Sequence, residues 1–557
     1  MDPLVGITEL VPESPTDLGL PHDSWWPYQR EAVAATLSGF EQGRKVLVSA
    51  PTGSGKTLIG SAVARVQGGT SMFLAHTIYL QRQQLRTLLQ AATATGRANH
   101  VCLLPDPFGQ ELTAAEAPCP CQHAVQGGCG YYNQLFDCAD ADEVVLNYAY
   151  AVRVCKAHGM KVTTIDPTTN QEVNIVLPNP FIGRGLLVCD EAHLLERSLI
   201  DADTIDVHRR TFDQLRVPLP GTTELGAWKE WAGKWVTPVA NRVTGMLKSF
   251  RAVEHPHRDD IREARRLQAA YSVLDEVLQI NPQGVPYYVG RTLSGYQVRP
   301  LWAWETAHNL LFKYGRDVMI MSATLGDPHL TTRLLGIEPD DWTLVEVPST
   351  FPLVNRPVFY WPVMKMKYGS TENEKMQQVH ALAHLATKFP TSAGVVHSCS
   401  YNLGQFLFDN SSLYPALLSR LLIHGPQNRE EVFKAFESAP GNRILITPAA
   451  TTGVDWDFVG WQMIPKVPFP DLSDDIVRLR YEYQTEEGEP IGKRVYLQEA
   501  ALAIVQASGR CVRTPTSKGV TVITDTNFWP LFKFTSPASF PVWFSQAVQW
   551  YHPGTVS

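Results

Sequence analysis

The sequence lacks any long apolar segment. None of its apolar runs approaches the roughly 18 residues that a membrane-spanning helix requires, although hydrophobic residues make up 44% of the chain. Residues 1–6 also lack the basic region and the apolar segment of a secretory signal. We therefore expect an intracellular, cytoplasmic protein without membrane contacts, of a kind that would suit a bacterial or phage-infected cell.

Positive charge is not in excess either. The chain has 48 Lys and Arg residues against 55 Asp and Glu residues, which gives a net charge of −7. The protein as a whole is therefore not drawn to nucleic acid, although a local basic groove would be enough to bind it. Internal repeats and low-complexity segments are absent, and 557 residues are too many for one core, so we expect several domains.

A glycine-rich segment near the N-terminus predicts a phosphate-binding loop. Residues 50–57 are Ala-Pro-Thr-Gly-Ser-Gly-Lys-Thr, and Ala50 departs from the glycine that usually opens the pattern. An apolar strand pattern at residues 45–49 precedes the loop and a helical pattern follows, so backbone N–H groups and a helix N-terminus would face an anion. Lys56 would reach the outer phosphates and the Thr57 hydroxyl would hold Mg²⁺. The alternative is an ordinary glycine turn.

A pair of carboxylates follows another apolar strand pattern. Residues 185–189 are Gly-Leu-Leu-Val-Cys, and Asp190, Glu191 and His193 come directly after them. Adjacent carboxylates beyond a buried strand are costly unless a cation or hydrogen-bond donors satisfy them. Asp190 would hold Mg²⁺, Glu191 would polarise the attacking water, and His193 would relay to neighbouring elements. The alternative is the acidic first turn of a helix.

Further short motifs occur in a recognisable order. They are Trp26-Pro27-Tyr28-Gln29, Ala75-His76-Thr77-Ile78-Tyr79-Leu80-Gln81-Arg82-Gln83, Asn147-Tyr148-Ala149-Tyr150, Met321-Ser322-Ala323-Thr324-Leu325, Thr452-Gly453-Val454-Asp455 and Gln506-Ala507-Ser508-Gly509-Arg510-Cys511-Val512-Arg513. Each is weak alone. Together, and in this order across nearly the whole chain, they resemble the superfamily-two iron–sulfur DNA helicases of the XPD/DinG type.

The resemblance implies an α/β fold with two RecA-like parallel-sheet motor domains. A small cysteine-rich iron–sulfur insertion and a mainly helical arch insertion would interrupt the first motor domain. The expected segments are motor domain 1 at residues 1–97, 141–195 and 298–344, the iron–sulfur insertion at 98–140, the arch at 196–297 and motor domain 2 at 345–557. Apolar strand patterns that alternate with helical patterns beyond residue 345 also indicate a second parallel sheet.

The resemblance assigns roles to residues of these motifs. The residues implied to bind ATP and Mg²⁺ are Gln29, which would read the adenine, Thr52, Gly53, Ser54, Gly55, Lys56, Thr57, Asp190, Gly453 and Asp455. The residues implied in catalysis are Lys56, Asp190, Glu191, Gln506, Arg510 and Arg513. The residues implied to couple hydrolysis to movement are His193, Ser322, Thr324 and Gln506. The residues implied to contact the DNA are Thr77, Tyr148, Ser398, Ser400 and Thr452.

The two arginines near the C-terminus fit the chemistry of phosphoryl transfer. A positioned arginine stabilises the charge that builds on the transferring group. Arg510 and Arg513 are spaced one helical turn apart, so both guanidinium groups could face one cleft. Because they lie far in sequence from Lys56 and Asp190, a second motor domain would supply them and ATP would close the two domains. The alternative is a solvated basic helix face.

Cysteines are concentrated in one segment. Five of the nine fall between Cys102 and Cys138, where the resembled family carries its cluster. The expected ligands of a 4Fe-4S cluster are Cys102, Cys119, Cys121 and Cys129. Four thiolates can replace a hydrophobic core in a small insertion. Zinc is the rival metal and a segment without metal the third possibility, whereas a disulfide framework is not expected in a long intracellular chain.

The cysteine spacing leaves the ligand set partly open. A single residue separates Cys119 from Cys121, which is tight for two ligands of one cluster, and Cys138 or His123 could substitute. Cys138 fits better as a helix-face residue, because Leu135, Cys138 and Ala139 form an i, i+3, i+4 stripe.

The segment from Glu196 to Gln297 carries no catalytic motif. Its apolar residues have helical spacing, in one set Leu267, Tyr271, Leu274 and Leu278 and in another Trp228, Trp231 and Trp235. We interpret both sets as core stripes rather than as platforms for bases. A basic cluster consists of Arg251, Arg258, Arg262, Arg265 and Arg266. Interleaved acidic residues favour a solvated face over a path for a DNA strand.

The sequence therefore predicts an ATP-dependent DNA helicase that uses ATP and Mg²⁺ and acts as a monomer on single-stranded and forked DNA. Travel from 5′ to 3′ is implied by the resemblance alone. Roles in DNA repair or DNA replication would both suit the family. The rival functions are a DNA translocase that remodels complexes with little unwinding, and a binding adaptor with an inactive motor.

Overall fold

The structure is a computed structural model of the chain. It describes residues 9–88, 90–102, 113–114, 129–156, 160–165, 172–177, 179, 181–251, 258–281, 284–448, 456, 458–512 and 516–552. No helix within these ranges is long and apolar enough to cross a membrane.

The N-terminal part of the chain builds a seven-stranded parallel sheet. The strands described up to residue 346 are β1 (Lys45–Ser49), β2 (Ser71–Ala75), β3 (Ala92–Thr93), β4 (Glu143–Asn147), β5 (Met160–Ile165), β6 (Glu172–Leu177), β7 (Arg184–Cys189), β8 (Ile205–His208), β9 (Tyr287–Thr292), β10 (Gly295–Pro300), β11 (Gly315–Ser322) and β12 (Trp342–Glu346). The sheet order is β12-β1-β11-β7-β2-β4-β3, and all neighbours are parallel.

Helices cover both faces of this first sheet, which is why its strands are apolar runs rather than alternating patterns. The helices are Gln29–Glu41, Lys56–Gln67, Ile78–Gln84, Gly130–Asp140, Tyr148–Lys156, Leu195–Asp203 and Pro328–Leu334. Successive residues of β1 point to opposite faces. Val46 and Val48 therefore join the core beneath the first two helices, whereas Leu47 joins the core on the other face with Tyr148 and Leu195.

The segment expected to form the mainly helical arch also contains a three-stranded sheet. Helices Leu225–Arg251 and Arg258–Gln279 pack together, but they share a core with an antiparallel sheet in the order β8-β10-β9. Short alternating strands such as β8, in which only Ile205 and Val207 are buried, give a weak sequence signal. A second hairpin, β5 with β6, was also not predicted.

Most of the predicted arch core is confirmed. Trp228 and Trp231 are buried and make an edge-to-face contact at 5.3 Å, and Trp235 is partly buried against them. Leu267 and Leu274 are buried, but Tyr271 is 36% exposed and is wrongly placed in that stripe. Ala270 and Val277 fill its place. Among the arginines, Arg262 pairs with Asp259 at 3.3 Å, as a solvated face would.

Three expected domain boundaries fall inside elements. Helix Leu195–Asp203 buries Leu199 and Ile200 in the core of the first sheet, so the arch begins after it rather than at residue 196. Residue 297 lies within β10, and residue 345 lies within β12, whose partner is β1.

The C-terminal part builds a second seven-stranded parallel sheet. Its strands are β13 (Val358–Met364), β14 (Ala393–His397), β15 (Leu421–Ile423), β16 (Ile444–Thr447), β17 (Val459–Ile464), β18 (Val520–Asp525) and β19 (Val548–Trp550), in the order β15-β16-β14-β17-β18-β13-β19. Its main helices are Glu372–Lys388, Tyr401–Asn410, Pro415–Leu418, Arg429–Ser438, Asp475–Glu482, Ile491–Ser508 and Val542–Ser545. The predicted α/β fold with two RecA-like sheets is confirmed.

Candidate nucleotide site between the two sheets

The strand order brings three of the sequence motifs to one edge. β1, β11 and β7 are neighbours, with Ser49 of β1 beside Ser322 of β11. Parallel strands end at the same edge of a sheet, where α/β proteins bind ligands. The phosphate loop after β1, Ser322 at the end of β11 and Asp190 after β7 therefore meet there.

The loop after β1 has the backbone of a phosphate cradle. Gly53 and Gly55 have φ values of 79° and 77°, a conformation that glycine adopts without strain. Lys56 opens the following helix, with Thr57 next to it. The Ser54 hydroxyl is buried and has no hydrogen-bond partner among the described residues. An orphaned donor and a helix N-terminus fit a bound phosphate chain.

Gln29 is hydrogen-bonded to the backbone of this loop. Its side chain is 1% exposed, its Nε2 donates to the Ser54 carbonyl at 2.8 Å, and its Oε1 accepts from the Trp26 amide at 2.9 Å. A Cβ at Gly55 would collide with the same amide. Gln29 is thus placed beside the nucleotide site, but both ends of its amide already have partners in the protein.

Asp190 accepts hydrogen bonds from two donors and lies near Lys56 of the phosphate loop. Its Oδ1 accepts from the Glu191 amide at 2.8 Å and its Oδ2 from Gln84 Nε2 at 2.9 Å. Burial and the Glu191 charge raise the pKa of Asp190 above its ordinary value, while Lys56 opposes that shift. A desolvated carboxylate near Lys56 of the phosphate loop fits a Mg²⁺ site, since hard cations take oxygen ligands.

Two residues around Asp190 were not assigned this role from the sequence. Gln84 is 4% exposed and lies in the helix that follows β2. Tyr148 is fully buried, and its hydroxyl donates to the Asp190 carbonyl at 2.6 Å. Tyr148 therefore positions the acidic motif and is not available to DNA in this conformation. Tyr148 directly follows β4, which could have indicated its contact, but Gln84 lies nine residues beyond the end of β2 and carried no such signal.

Close polar contacts lead from the acidic motif to the second sheet. His193 Nδ1 lies 3.4 Å from Glu191 Oε2 and 3.0 Å from Ser322 Oγ. Ser322 Oγ accepts from the Thr324 amide at 3.0 Å, and Gln506 Nε2 lies 3.5 Å from Thr324 Oγ1. Burial lowers the pKa of His193 to about 4, so the imidazole is neutral near pH 7. These contacts join the four side chains for which coupling is expected.

Arg510 lies at the same cleft but not on a helix. Helix Ile491–Ser508 ends with Gly509 as its cap, and the Arg510 amide donates to the Ala507 carbonyl at 3.2 Å. Residues 510–512 are therefore not helical, so the helical turn expected from Arg510 is wrong over the residues that the structure describes. Burial is the main cause of the low pKa of His193, and the Arg510 cation contributes to it. Arg513 lies outside the described residues.

The residues expected to touch DNA divide into two groups. Thr77 is exposed and caps helix Ile78–Gln84 by accepting from the Leu80 amide at 3.2 Å. Ser400 is exposed and caps helix Tyr401–Asn410. Ser398 is fully buried and its hydroxyl donates to the Ser400 carbonyl at 3.1 Å, so it does not reach a phosphate in this conformation. Thr452, with Gly453 and Asp455, lies outside the described residues.

The two ends of the cysteine-rich segment approach each other. The His100 ring makes an edge-to-face contact with Tyr131 at 5.9 Å, which brings the chain near Cys102 to the chain near Cys129. Cys119, Cys121 and His123 lie outside the described residues. Within the described ranges, no group of three or more His, Cys, Asp or Glu residues is arranged to hold a metal ion.

Cys138 is a core residue, as predicted. It is fully buried on helix Gly130–Asp140, and burial raises the pKa of its thiol to about 12, which disfavours the thiolate that binds metals. Ala139 is exposed, so the buried stripe consists of Tyr132, Leu135 and Cys138.

Comparisons with known proteins agree with this geometry. A DEAD/DEAH box helicase model matches residues 26–125 and a helicase C-terminal domain model matches residues 383–544. No curated protein sequence matches the chain. A solved XPD helicase has 16% identity and a TM-score of 0.58, with 95% of this chain and 99% of that chain covered. Xpd4 of S. tokodaii has 15% identity and a TM-score of 0.53, with 95% and 100% covered.

The chain thus combines matches to two helicase domain models with the fold of XPD structures, which supports an ATP-dependent helicase.

Proposed function

We propose that this protein is an ATP-dependent DNA helicase that moves along single-stranded DNA and separates duplexes. The series of contacts from Glu191 through His193, Ser322 and Thr324 to Gln506 carries this proposal. It begins at the carboxylate that would position water and ends in the other motor domain. A nucleotide-binding protein without a motor has no need of such a path between its domains.

The first motor domain supplies the groups for hydrolysis. Lys56 and the loop amides bind the outer phosphates, and Glu191 orients the water for in-line attack. Thr57 and Asp190 would hold Mg²⁺, which neutralises phosphate charge when bound. Arg510 approaches from the second motor domain and stabilises the charge of the transition state.

Hydrolysis is coupled to movement through Thr324 and Gln506. Their separation of 3.5 Å is long for a hydrogen bond. Closure of the domains around ATP would shorten it, and product release would lengthen it again. Because one chain contains both sides of this contact, we propose that a monomer is sufficient for activity.

The DNA strand would run over the exposed caps at Thr77 and Ser400. Each residue opens a helix that follows a strand, one in each motor domain. Hydroxyl and backbone N–H contacts to phosphate carry no sequence information, which suits movement along any sequence. A 5′-to-3′ direction is proposed from the resemblance to XPD/DinG helicases.

The cysteine-rich segment would hold a 4Fe-4S cluster beside this strand path. The approach of its two ends near Cys102 and Cys129 supports a compact insertion, and Cys119 with Cys121 would complete the ligand set. Cys129 directly precedes helix Gly130–Asp140 and is buried. Iron analysis of Cys129→Ser against Cys138→Ser tests this assignment. Loss of metal in the first variant alone is expected, and zinc in place of iron would contradict it.

Strand separation on two tailed duplexes tests the proposed function. One duplex carries a 5′ single-stranded tail and the other a 3′ tail, and the protein is purified without oxygen. Unwinding of the 5′-tailed duplex alone is the expected result, with Glu191→Gln as the inactive control. If neither duplex opens while DNA still stimulates ATP hydrolysis, a translocase that displaces bound proteins replaces the helicase. Unwinding of the 3′-tailed duplex alone contradicts the direction.

A further inference from the structure

We propose that a pocket between the two motor domains binds the nucleobase of the triphosphate, with Trp543 as its stacking surface. The proposal rests on the proposed ATP hydrolysis and adds a base-recognition site from the second motor domain. The site would take a flat heteroaromatic ring with hydrogen-bond acceptors at its edge.

The pocket lies where the phosphate loop meets the second domain. Pro51 and Thr52 of the loop form one wall. Ser508 and Gly509, at the end of helix Ile491–Ser508, form another. A Cβ on Gly509 would stand 4.0 Å from the Thr52 hydroxyl oxygen. If the phosphates of a nucleotide lay on the loop, its base could therefore reach this pocket.

The remaining walls suit a ring rather than a phosphate. Phe351, Val358, Val512 and Ala547 line the pocket with apolar surface. Burying an anion against such surface is unfavourable, whereas a base gains from leaving water. Apolar walls with a few placed polar groups are the usual composition of small-molecule sites.

Trp543 and Arg356 supply the polar groups. The Arg356 guanidinium lies 5.6 Å from the centre of the Trp543 ring. Its Nε donates to the Phe351 carbonyl at 3.3 Å, and its Nη1 donates to the Trp543 carbonyl. In the described part of the chain no carboxylate pairs with Arg356. An unbalanced cation stacked on an indole favours an electron-rich ring or its acceptor atoms.

The indole N–H of Trp543 is compatible with a bound base. Trp543 Nε1 is buried and has no hydrogen-bond partner among the described residues. Buried tryptophan N–H groups normally find an acceptor, and ring nitrogens or carbonyl oxygens of a base would provide one. Gln29, the residue expected to read adenine, already uses both ends of its amide within the protein, so base recognition needs further groups.

Calorimetric titration with ATP and with inorganic tripolyphosphate tests the pocket. Trp543→Leu should weaken ATP binding about tenfold and change tripolyphosphate binding less than about twofold, because stacking on an aromatic side chain contributes roughly 1–3 kcal/mol per base. Trp543→Phe keeps an aromatic face and should bind ATP within about threefold of the wild type. Trp550→Leu is the matched control, since Trp550 is 47% exposed and lies outside the pocket.

Each outcome is decisive for the pocket. Equal weakening of both ligands by Trp543→Leu would overturn the proposal in favour of a phosphate site, and unchanged ATP binding would overturn it as well. If that variant does not fold, Ala547→Leu narrows the same pocket without removing the indole and should weaken ATP selectively. Failure of the proposed function would look different, because the wild-type protein would then bind neither ligand or would not hydrolyse ATP.

Discussion

The two motor sheets have the same number of parallel strands, but their carboxyl edges differ. At the first edge, Asp190 is partly buried and accepts from two donors. At the second, Asp525 is fully buried and accepts four hydrogen bonds, from the amides of Met366, Val467 and Asn527 and from the Asn527 side chain, at 2.8 to 3.1 Å.

This difference shows how one architecture serves two tasks. A carboxylate that the protein satisfies completely locks loops together, because each buried N–H would be costly without it. A carboxylate with lone pairs to spare, beside Lys56, is left to meet a ligand. We therefore propose that the first sheet carries the chemistry and that the second supplies a rigid body that delivers Gln506 and Arg510 to it.

The largest expected effect comes from the first edge. Lys56→Ala removes the cation that contacts the outer phosphates, so ATP hydrolysis should fall about 10³-fold or more, as for other lost transition-state contacts. Phosphate release with and without single-stranded DNA is the measurement. The control is Lys367→Ala, at an exposed lysine of the second domain. Hydrolysis within tenfold of the wild type in Lys56→Ala would remove the loop from the nucleotide site.

A substitution at the second edge should lower the free energy of unfolding rather than the rate of ATP hydrolysis. Asp525→Ala leaves the backbone amides of Met366, Val467 and Asn527 without this acceptor, and each buried donor left unsatisfied typically costs about 1–3 kcal/mol. Urea denaturation measures the loss. The matched variant Asp190→Ala should lose hydrolysis but much less stability, since only two donors are released. If both variants lost equal stability, the two edges would not differ in the way that the hydrogen bonds indicate.

The sequence predicts the first edge far better than the second. Phosphate binding requires glycine at Gly53 and Gly55 and a lysine at the helix start, so the local pattern carries the chemistry. The four-donor site of Asp525 draws on three separate segments, and no local pattern reports such long-range pairing. Helix ends are similarly poorly predicted. Gly509 terminates the helix before Arg510, although the spacing of the two arginines suits its continuation.

Two further features were not predicted from the sequence, the contact of Tyr148 and the small sheet of the arch. The resemblance of the motif at residues 147–150 implied that Tyr148 contacts DNA, but Tyr148 is fully buried and its hydroxyl donates to the Asp190 carbonyl. The three-stranded sheet of the arch was missed because β8 offers only two buried residues, Ile205 and Val207. Tertiary packing decided these cases, and a single sequence does not report it.

Loss of the contact between Thr324 and Gln506, which joins the two motor domains, should have a smaller effect on ATP hydrolysis than loss of Lys56. Thr324→Val keeps the shape of the side chain but removes the hydroxyl that faces Gln506. We expect DNA-stimulated ATP hydrolysis to fall about tenfold, with nucleotide binding nearly unchanged, because one hydrogen bond contributes about 1 kcal/mol and its loss also disturbs closure. Thr332→Val is the control, since its hydroxyl donates to Pro328 within its own helix. Equal losses in both variants would exclude a specific coupling role.

The smallest expected effect is a pH dependence at the second edge. Burial lowers the pKa of His397 to about 4, and its Nε2 lies 3.0 Å from Gln462 Oε1. Its Nδ1 is buried without a partner in the described part of the chain. Protonation would therefore place a charge and an unpaired donor in the core. The folded protein resists this proton, whereas the unfolded chain takes it up near its ordinary pKa of about 6.5.

Stability should therefore fall as the pH drops below about 6.5, because the unfolded state then binds more protons than the folded state. Between pH 6.5 and pH 5 the loss from this one residue is about 2 kcal/mol at most. His397→Gln cannot be protonated, so its urea midpoint should change less over the same range. The exposed His22→Gln serves as control. If the urea midpoints of the wild type and of His397→Gln changed with pH in parallel, the second edge would tolerate a buried charge at His397. The contrast with the first edge, which has to accommodate charged groups, would then fail.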